Sequence, residues 1–513
     1  PGFSFESVPN LMSGTNPAHT TIERAAPVPG EQFYDPNFGT IVTCVTDADY
    51  IHSRHEYARF DPFNVDQTRI ILDPDTRWRV YDTSALPYNR PENQVMVIDL
   101  EEPRWDPDDP DVIWGLYDFE IRTVNVATQQ VSVVKDFAQD PVIGPLINSE
   151  PVFRITTREE GEPSTDMRYW VFFLQGDAAV DYVPRYIFTW DEQTDSVLGL
   201  YEVAANEVDI DYIGMSSLGN WIIIGGDDWN EGNLKGLTVA DVELTQFWNV
   251  GLIGHQDVAL TTDGREVLVG QNTATDHVDV IVLGQNPQSM PLIQLFYSDP
   301  SPFGMQSGIH VSCNTPGFCV ISTYIEPGLP ERNWLDRSIV LVKLNLNEPT
   351  GYYLAKVRGT TGAYYEETHA SISDDGKKVV WATNWGANVG QEQVFMMQLD
   401  MPENWKQTLV NTDRSPTEAP QGYRLEQNAP NPFNPNTTIR YSVRDNGPLS
   451  ISVYDMLGRE LGILASGNHL AGEYEVDVDT GVLADGRGLS SGIYLYQLTA
   501  RKHRETRKMV VLK

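Results

Sequence analysis

The sequence predicts an all-β protein, in which a seven-bladed β-propeller is followed by a small immunoglobulin-like β-sandwich. Seven related stretches recur over about the first 410 residues, and each joins turn-forming residues to a short β-branched or aromatic run. No long segment shows sustained helical periodicity. Repeats of roughly 40 to 60 residues with about four short strands are typical of propeller blades. A large β-sandwich is the alternative, and it is disfavoured because sandwiches lack such internal repetition.

The clearest repeat spans residues 369–386. Asp375 and Gly376 are predicted to form a tight turn, because glycine adopts positive φ at little steric cost. The run from Lys378 to Ala382 then has the β-branched and aromatic composition of a buried strand. The other six repeats begin near His55, Glu102, Glu162, Ile213, His255 and His310.

Composition divides the chain into four parts. About the first 30 residues are rich in Pro, Ser and Thr and show no periodicity. A strand is expected near Ile41, and it could complete the last blade. Residues near 411–422 are rich in Asp, Ser, Pro, Thr and Glu, as in linkers. The predicted parts are an irregular N-terminal arm (1–38), the propeller (39–410), a linker (411–424) and the immunoglobulin-like domain (425–513).

Charge and cysteine content restrict the class of protein. The formal net charge is −36, and such a field disfavours binding to nucleic acid or to anionic membrane surfaces. No run of 18 apolar residues is present, so no membrane span is expected. Three cysteines are too few for a disulfide framework. Cys313 and Cys319 are expected to pair if the compartment is oxidising, which leaves Cys44 as a buried thiol.

The C-terminal domain resembles the type A sorting domain of the type IX secretion system of Bacteroidetes-like bacteria. The resemblance is carried by residues 425–435 (LEQNAPNPFNP), 453–460 (VYDMLGRE), 491–494 (SGIY) and 508–513 (KMVVLK). It implies a secreted or cell-surface protein, exported across the outer membrane, with the type IX secretion machinery as a partner. The alternative is a generic sandwich without a sorting role.

The predicted propeller resembles secreted bacterial propellers, including the oligogalacturonate lyases. Residues 254–257 (GHQD), 308–312 (GIHVS) and 368–371 (THAS) carry this resemblance. In that family, histidines near the axis bind a divalent metal, and the site abstracts a proton from a uronate. The resemblance implies a divalent metal, calcium or manganese, and a polysaccharide as substrate or ligand.

Four histidines occupy equivalent places in the sequence, because each begins a repeat. If the repeats are blades, these side chains converge at one mouth of the central channel. We expect three of them to ligate the metal and the fourth, His255, to act as general base, with Arg59 stabilising charge. The expected ligands are His55, His310 and His369, assisted by Gln256, Asp257 or Glu367. A purely structural role, in which the histidines bond neighbouring strands, stays open.

Two function classes follow from these patterns. The first is a carbohydrate-active enzyme, specifically a lyase on uronate-containing polysaccharide. The second is a non-catalytic extracellular protein that binds glycan or protein through the propeller face. Bound metal and unsaturated reaction products distinguish the two.

Overall fold

The computed structural model describes most of the chain and divides it into two compact units. The first unit spans residues 1–261 and 266–402, and the second spans 403–513 together with 262–265. The described residues are 5–50, 54–72, 77–227, 229–251, 253–272, 274–275, 277–295, 307–325, 333–359, 367–386, 391–399, 401, 423–444, 447–456, 459–469, 472–479, 489–500 and 503–512.

The described part of the first unit contains seven small antiparallel sheets. Three short strands come first along the chain: β1 (Ser7–Val8), β2 (Gln32–Tyr34) and β3 (Ile41–Cys44). Sheet 1 contains β4 (Arg69–Leu72), β5 (Arg79–Asp82) and β6 (Gln94–Val97). Sheet 2 contains β7 (Glu101–Trp105), β8 (Val112–Tyr117), β9 (Glu120–Asn125) and β10 (Gln130–Asp136). Sheet 3 contains β11 (Val152–Thr156), β12 (Tyr169–Gly176), β13 (Pro184–Asp191) and β14 (Ser196–Glu202).

The remaining four sheets of this unit repeat the pattern. Sheet 4 contains β15 (Ile210–Met215), β16 (Trp221–Gly226), β17 (Leu237–Asp241) and β18 (Phe247–Gly251). Sheet 5 contains β19 (Ile253–Leu260), β20 (Glu266–Asn272), β21 (His277–Val282) and β22 (Gln288–Gln294). Sheet 6 contains β23 (Ser307–Ser312), β24 (Phe318–Ile325), β25 (Ser338–Lys343), β26 (Thr350–Lys356) and β1. Sheet 7 contains β27 (Ser371–Ile372), β28 (Lys378–Thr383), β29 (Gln393–Gln398), β3 and β2.

Helical structure in the described residues is confined to short connections. The α-helix α1 spans Gly144–Ser149, and four 3₁₀ turns span Pro91–Asn93, Phe137–Gln139, Ala178–Val180 and Gly232–Leu234. The prediction of an all-β chain is therefore confirmed.

The apolar run of each predicted repeat occupies the same place in its sheet. In sheets 2 to 7 it lies in the second strand, for example in β24 and in β28. In sheet 1 the run forms β4, and an isolated bridge between Phe63 and Ile70 takes the place of a first strand. Gly376 has φ of 67° and its N–H donates to the Ser373 carbonyl, which confirms the predicted turn.

Apolar side chains fill the spaces between successive sheets. One cluster of buried apolar side chains lies between sheets 1 and 2. Similar clusters lie between each pair of successive sheets from sheet 2 to sheet 6. A further cluster joins sheet 7 to sheet 1, with Val380 and Val394 packed against Phe63 and Ile70. The turns that follow β27 in sheet 7 and β23 in sheet 6 are also bonded, since the Thr315 hydroxyl donates to the Ser373 carbonyl at 2.6 Å. Contacts therefore join each sheet to the next, and the last sheet packs against the first.

The N-terminal segment completes two of these sheets. Strand β3 pairs with β29 in sheet 7, with Cys44 opposite Phe395, which confirms the strand expected near Ile41. The arm expected to be irregular contains two short strands. Of these, β1 extends sheet 6 and β2 extends sheet 7.

The described part of the second unit has two antiparallel sheets. One contains β30 (Arg424–Leu425), β31 (Asn436–Val443) and β34 (Gly472–Asp479). The other contains β32 (Gly447–Tyr454), β33 (Glu460–His469), β35 (Gly492–Ala500) and β36 (His503–Val511). Ile439 and Tyr441 of the first sheet share one buried cluster with Ile451 and Leu498 of the second, so apolar faces of both sheets form a common core.

The cysteines are placed as the sequence suggests. Cys313 and Cys319 form a disulfide, and Cys44 is a buried free thiol. Burial raises the pKa of the Cys44 thiol to about 12, so it is protonated and unreactive at neutral pH.

Candidate metal centre

The structure brings the four repeat-starting histidines together. The rings of His310 and His369 stack with centroids 3.9 Å apart, and His255 meets His310 edge-on at 4.9 Å. His55 reaches the same cluster, because its Nε2 lies 2.6 Å from the His369 carbonyl oxygen. Their positions explain the meeting: β19 and β23 are the first strands of adjacent sheets, and His369 lies two residues before β27, the first strand of the next sheet.

His55 makes the kind of contact that is expected if the histidines have a purely structural role, namely a hydrogen bond to a neighbouring segment. A carbonyl oxygen only accepts hydrogen bonds, so Nε2 of His55 must carry the proton and donate it to His369. Burial lowers the pKa of His55 to about 4, which keeps the ring neutral. This bond occupies the Nε2 of His55 and fixes the backbone that carries His369.

Glu367 supplies a carboxylate to this cluster. Its Oε2 lies 2.8 Å from Nε2 of His310 and 4.0 Å from Nε2 of His369. One ligand atom from each of these three residues lies within 4.8 Å of the others. Two imidazoles and one carboxylate on one side of a site form a donor set that binds divalent transition metals and leaves coordination positions open.

Electrostatics keeps the histidines in the neutral form that binds a metal. Burial lowers the pKa of His310 well below its ordinary value, and neighbouring His255 and Arg59 act in the same direction. Burial also lowers the pKa of His255 and raises the pKa of Glu367. Neutral imidazoles are the metal-binding form, and a desolvated carboxylate gains most from a nearby cation. Nδ1 of His310 is buried without a hydrogen-bond partner among the described residues.

The backbone is strained at two of the histidines. His255 has φ of 49° and His369 has φ of 42°, which is the left-handed region that residues with a Cβ rarely adopt. Each such residue costs on the order of 1 kcal/mol. Thirteen other described non-glycine residues also have positive φ, so the site is defined by the convergence of its side chains and not by backbone strain.

Arg59 and Tyr57 line the same cluster. The Tyr57 hydroxyl lies 3.3 Å from Nδ1 of His255, and its ring contacts His310 and His369. The Arg59 guanidinium forms an ion pair with Glu160 at 3.2 Å and lies 4.1 Å from the ring centroid of Tyr212. The charge of Arg59 is thus largely compensated within the protein.

Sequence reasoning did not assign Tyr57 to the site. The available signal was its place in the sequence, between two residues that were assigned to the site, His55 and Arg59. Of the proposed assisting ligands, Glu367 joins the cluster. Gln256 instead donates to the Tyr212 hydroxyl at 2.5 Å, and Asp257 accepts the Cys313 N–H at 2.6 Å.

A second group of ionisable side chains, here called the acidic cluster, comprises Asp61, Glu162, Asp257 and Asp374. Asp61, Glu162 and Asp374 line a cavity of about 120 Å³, together with Arg104. Burial raises the pKa of Glu162 to about 8. The charges of Asp257 and Asp374 also raise this pKa, whereas those of Arg104 and Arg59 lower it. Burial likewise raises the pKa of Asp257 to about 7.

These raised pKa values predict that stability falls as pH rises. The folded state holds the Glu162 proton more tightly than the unfolded chain, whose glutamates titrate near pH 4.3. The stabilisation is therefore complete below about pH 4 and disappears as pH rises through about 8. We expect the contribution of this cluster to the melting temperature to decrease between pH 5 and pH 8. Calorimetry should show that the melting temperature of Glu162→Gln depends less on pH than that of the wild type. The control Glu243→Gln changes an exposed residue and should match the wild type. The same dependence of melting temperature on pH in all three proteins would contradict this account.

Comparison with known proteins identifies the C-terminal part of the chain. Residues 429–512 match the family described as the secretion system C-terminal sorting domain. No curated protein sequence matches the chain.

Three of the solved structures that match the chain are distant likenesses. A chain of the mitotic checkpoint complex shares 10% identity with a TM-score of 0.38, covering 74% of this chain and 99% of that one. TolB from Acinetobacter baumannii shares 12% identity with a TM-score of 0.28, covering 64% of this chain and 60% of that one. A eukaryotic initiation factor shares 11% identity with a TM-score of 0.35, covering 92% of this chain and 97% of that one.

The match to the sorting-domain family indicates that the protein is exported. Strands β31 to β36 fall within residues 429–512, so the matched segment forms most of the second unit. Among the described residues, no helix is both long and apolar enough to cross a bilayer. The chain carries a type IX C-terminal sorting domain and is a secreted or cell-surface protein.

Proposed function

We propose that the first unit is a seven-bladed β-propeller and that the second is an immunoglobulin-like sandwich. Seven consecutive sheets, the packing of sheet 7 against sheet 1, and the pairing of β3 with β29 support a closed ring. Two antiparallel sheets around one core support the sandwich. In a propeller, the strands β19 and β23 are innermost, and the histidine cluster lies on the axis.

We further propose that the chain is an extracellular, metal-dependent enzyme that acts on polysaccharide. The observation that carries this proposal is the convergence of His310, Glu367 and His369. The two imidazole nitrogens favour manganese, iron or zinc over calcium, which prefers an all-oxygen shell. When bound, such an ion polarises an oxygen of the substrate or activates water.

The remaining residues of the cluster have distinct proposed roles. His255 is neutral because burial lowers its pKa, and it contacts His310 without belonging to the three-ligand group, so it is the proposed general base. The Tyr57 hydroxyl at its Nδ1 orients the ring and fixes which nitrogen faces away. Arg59 and His55 act as positioning residues through Glu160 and the His369 carbonyl, respectively.

A uronate lyase is the version of this reaction that the sequence resemblance suggests. In it, a neutral base removes a proton from the carbon next to the uronate carboxylate, and the glycosidic oxygen leaves from the adjacent carbon and is protonated. The product therefore contains a carbon–carbon double bond. A hydrolase would use the same metal centre but generate reducing ends without a double bond. A non-catalytic binding protein would generate neither the unsaturated product nor new reducing ends.

Metal analysis and product detection test the proposal together. Protein loaded with Mn²⁺ or Zn²⁺ and then dialysed should retain about one equivalent per chain, as three convergent ligands require. Incubation with polygalacturonate, alginate and amine-bearing glycans should yield either ultraviolet-absorbing products or new reducing ends. Retention of no metal above that of a metal-free control protein, together with no product from any glycan, would refute the proposal.

A further inference from the structure

A second cavity adjoins the histidine cluster. It has a volume of about 610 Å³ and is bordered by Tyr57, Trp78, Tyr117 and Glu159. That volume lies within the range of pockets that enclose small ligands, about 300–1,000 Å³. Tyr57 contributes to both sites, because its ring also contacts His310 and His369. A ligand in this cavity would lie beside the candidate metal centre.

The charge of the cavity is predominantly negative. Among the described residues, seven carboxylate side chains and three arginines line it. Two of the arginines are already paired, Arg154 with Glu101 at 2.6 Å and Arg77 with Asp99 at 3.8 Å. The lining carboxylates outnumber the arginines, so the local field attracts cations and repels anions.

Two of the carboxylates have neither a cationic partner nor a hydrogen-bond donor among the described residues. Asp118 and Glu159 are both exposed and both line the cavity. The other acidic side chains are engaged elsewhere. Glu102, for example, accepts hydrogen bonds from Thr156 and from the backbone and hydroxyl of Thr157. Asp118 and Glu159 are therefore available to a ligand.

Aromatic rings complete the cavity. Trp78 and Tyr117 line it, and the Tyr117 side chain is 39% exposed, although the Arg122 guanidinium lies over its ring at 3.8 Å. Aromatic faces combined with carboxylates recognise ammonium groups, through cation–π attraction and charge-assisted hydrogen bonds. A uronate carboxylate, in contrast, would meet uncompensated negative charge.

We propose that this cavity binds a glycan unit that carries a free amine, such as glucosamine, in preference to a uronate. The inference rests on the proposed function for the choice of a glycan, and it assigns the class of sugar. Asp118 and Glu159 bind the ammonium group, and Trp78 contacts the face of the sugar ring. The reacting bond then lies on the Tyr57 side, next to the histidine cluster.

Calorimetric titration with three matched trisaccharides tests the assignment. We expect the glucosamine trisaccharide to bind about tenfold more tightly than its N-acetylated form, as the loss of one charge-assisted hydrogen bond implies. Trigalacturonate should bind more weakly still. Glu159→Gln and Asp118→Asn should each remove most of the preference for the amine, whereas the control Glu243→Gln should retain it.

Three outcomes would overturn the assignment. They are equal affinity for all three sugars, tightest binding of trigalacturonate, and tighter binding of a lysine-rich peptide than of any glycan. The same titration with His310→Ala separates this inference from the proposed function. That variant lacks a metal ligand but keeps the cavity lining, so amine preference should persist without metal. Metal retention without amine preference would refute only the present inference.

Discussion

Replacing His310 with alanine is expected to weaken binding of Mn²⁺ or Zn²⁺ by about a hundredfold or more. Loss of residues that merely orient a ligand costs about 10- to 100-fold in metal affinity, and a ligand contributes at least as much. The His310 Nε2 lies opposite the Glu367 carboxylate at 2.8 Å, so the variant loses one of only three convergent donors. Titration of metal-free protein with a competing chelator measures the change.

Two further variants make this experiment decisive. His310 is fully buried, so alanine also leaves a cavity, and its effect on folding needs separate control. Glu367→Gln preserves size, and the Glu367 side chain is partly exposed, so this variant should fold normally yet bind metal at least tenfold more weakly. His277→Ala removes a histidine that bonds Gln294 away from the cluster and should leave affinity unchanged. Wild-type affinity in Glu367→Gln would exclude the three-ligand centre.

Replacing Arg104 with alanine is expected to reduce the free energy of unfolding by about 3–5 kcal/mol, as when one partner of a buried ion pair is removed. The Arg104 guanidinium lies 3.4 Å from the Phe60 ring centroid and 3.4 Å from the Glu56 carboxylate. It also donates to the carbonyl oxygens of Pro103 and Glu159 at 2.9 Å. The variant would leave Glu56 and these carbonyls without their cation.

Denaturant unfolding provides the measurement and its control. Arg77→Ala removes an arginine that is 64% exposed and lies 3.8 Å from Asp99, so it should cost less than about 1 kcal/mol. A similar small loss in Arg104→Ala would show that its buried contacts contribute little. Loss of Arg104 should also raise the pKa of Glu56 further, because Arg104 opposes the burial that already raises it to about 7.

The strands were largely predictable because their signals are local. The turn at Gly376 and the apolar run of β28 specify a sheet strand without reference to any other part of the chain. Strand β36 was missed as a strand, because its exposed basic side chains, such as Arg504 and Lys508, interrupt the apolar alternation. Edge strands often carry such charges, which prevent unwanted pairing with other chains.

The site was only partly predictable, because its contacts join distant segments. The place of each histidine within its repeat indicated that the four would meet. The sequence offered Glu367 only as one of three possible assisting ligands and did not decide among them, whereas the structure places it against His310, 57 residues away. Nothing in the sequence indicated that Arg59 would pair with Glu160, 101 residues away. The amine preference proposed for the second cavity likewise depends on which carboxylates lack partners, and that is a property of the folded chain.

The all-β class and the repeats could be inferred from the chain alone, because periodicity and turn residues act between near neighbours. The sorting domain was indicated by its resemblance to a known family, which short motifs carry. Which side chains share a site, and which charges are compensated, became apparent only in the folded chain. The physical reason is that burial, ion pairing and metal-ligand geometry depend on distances across sheets, and sequence spacing does not fix those distances.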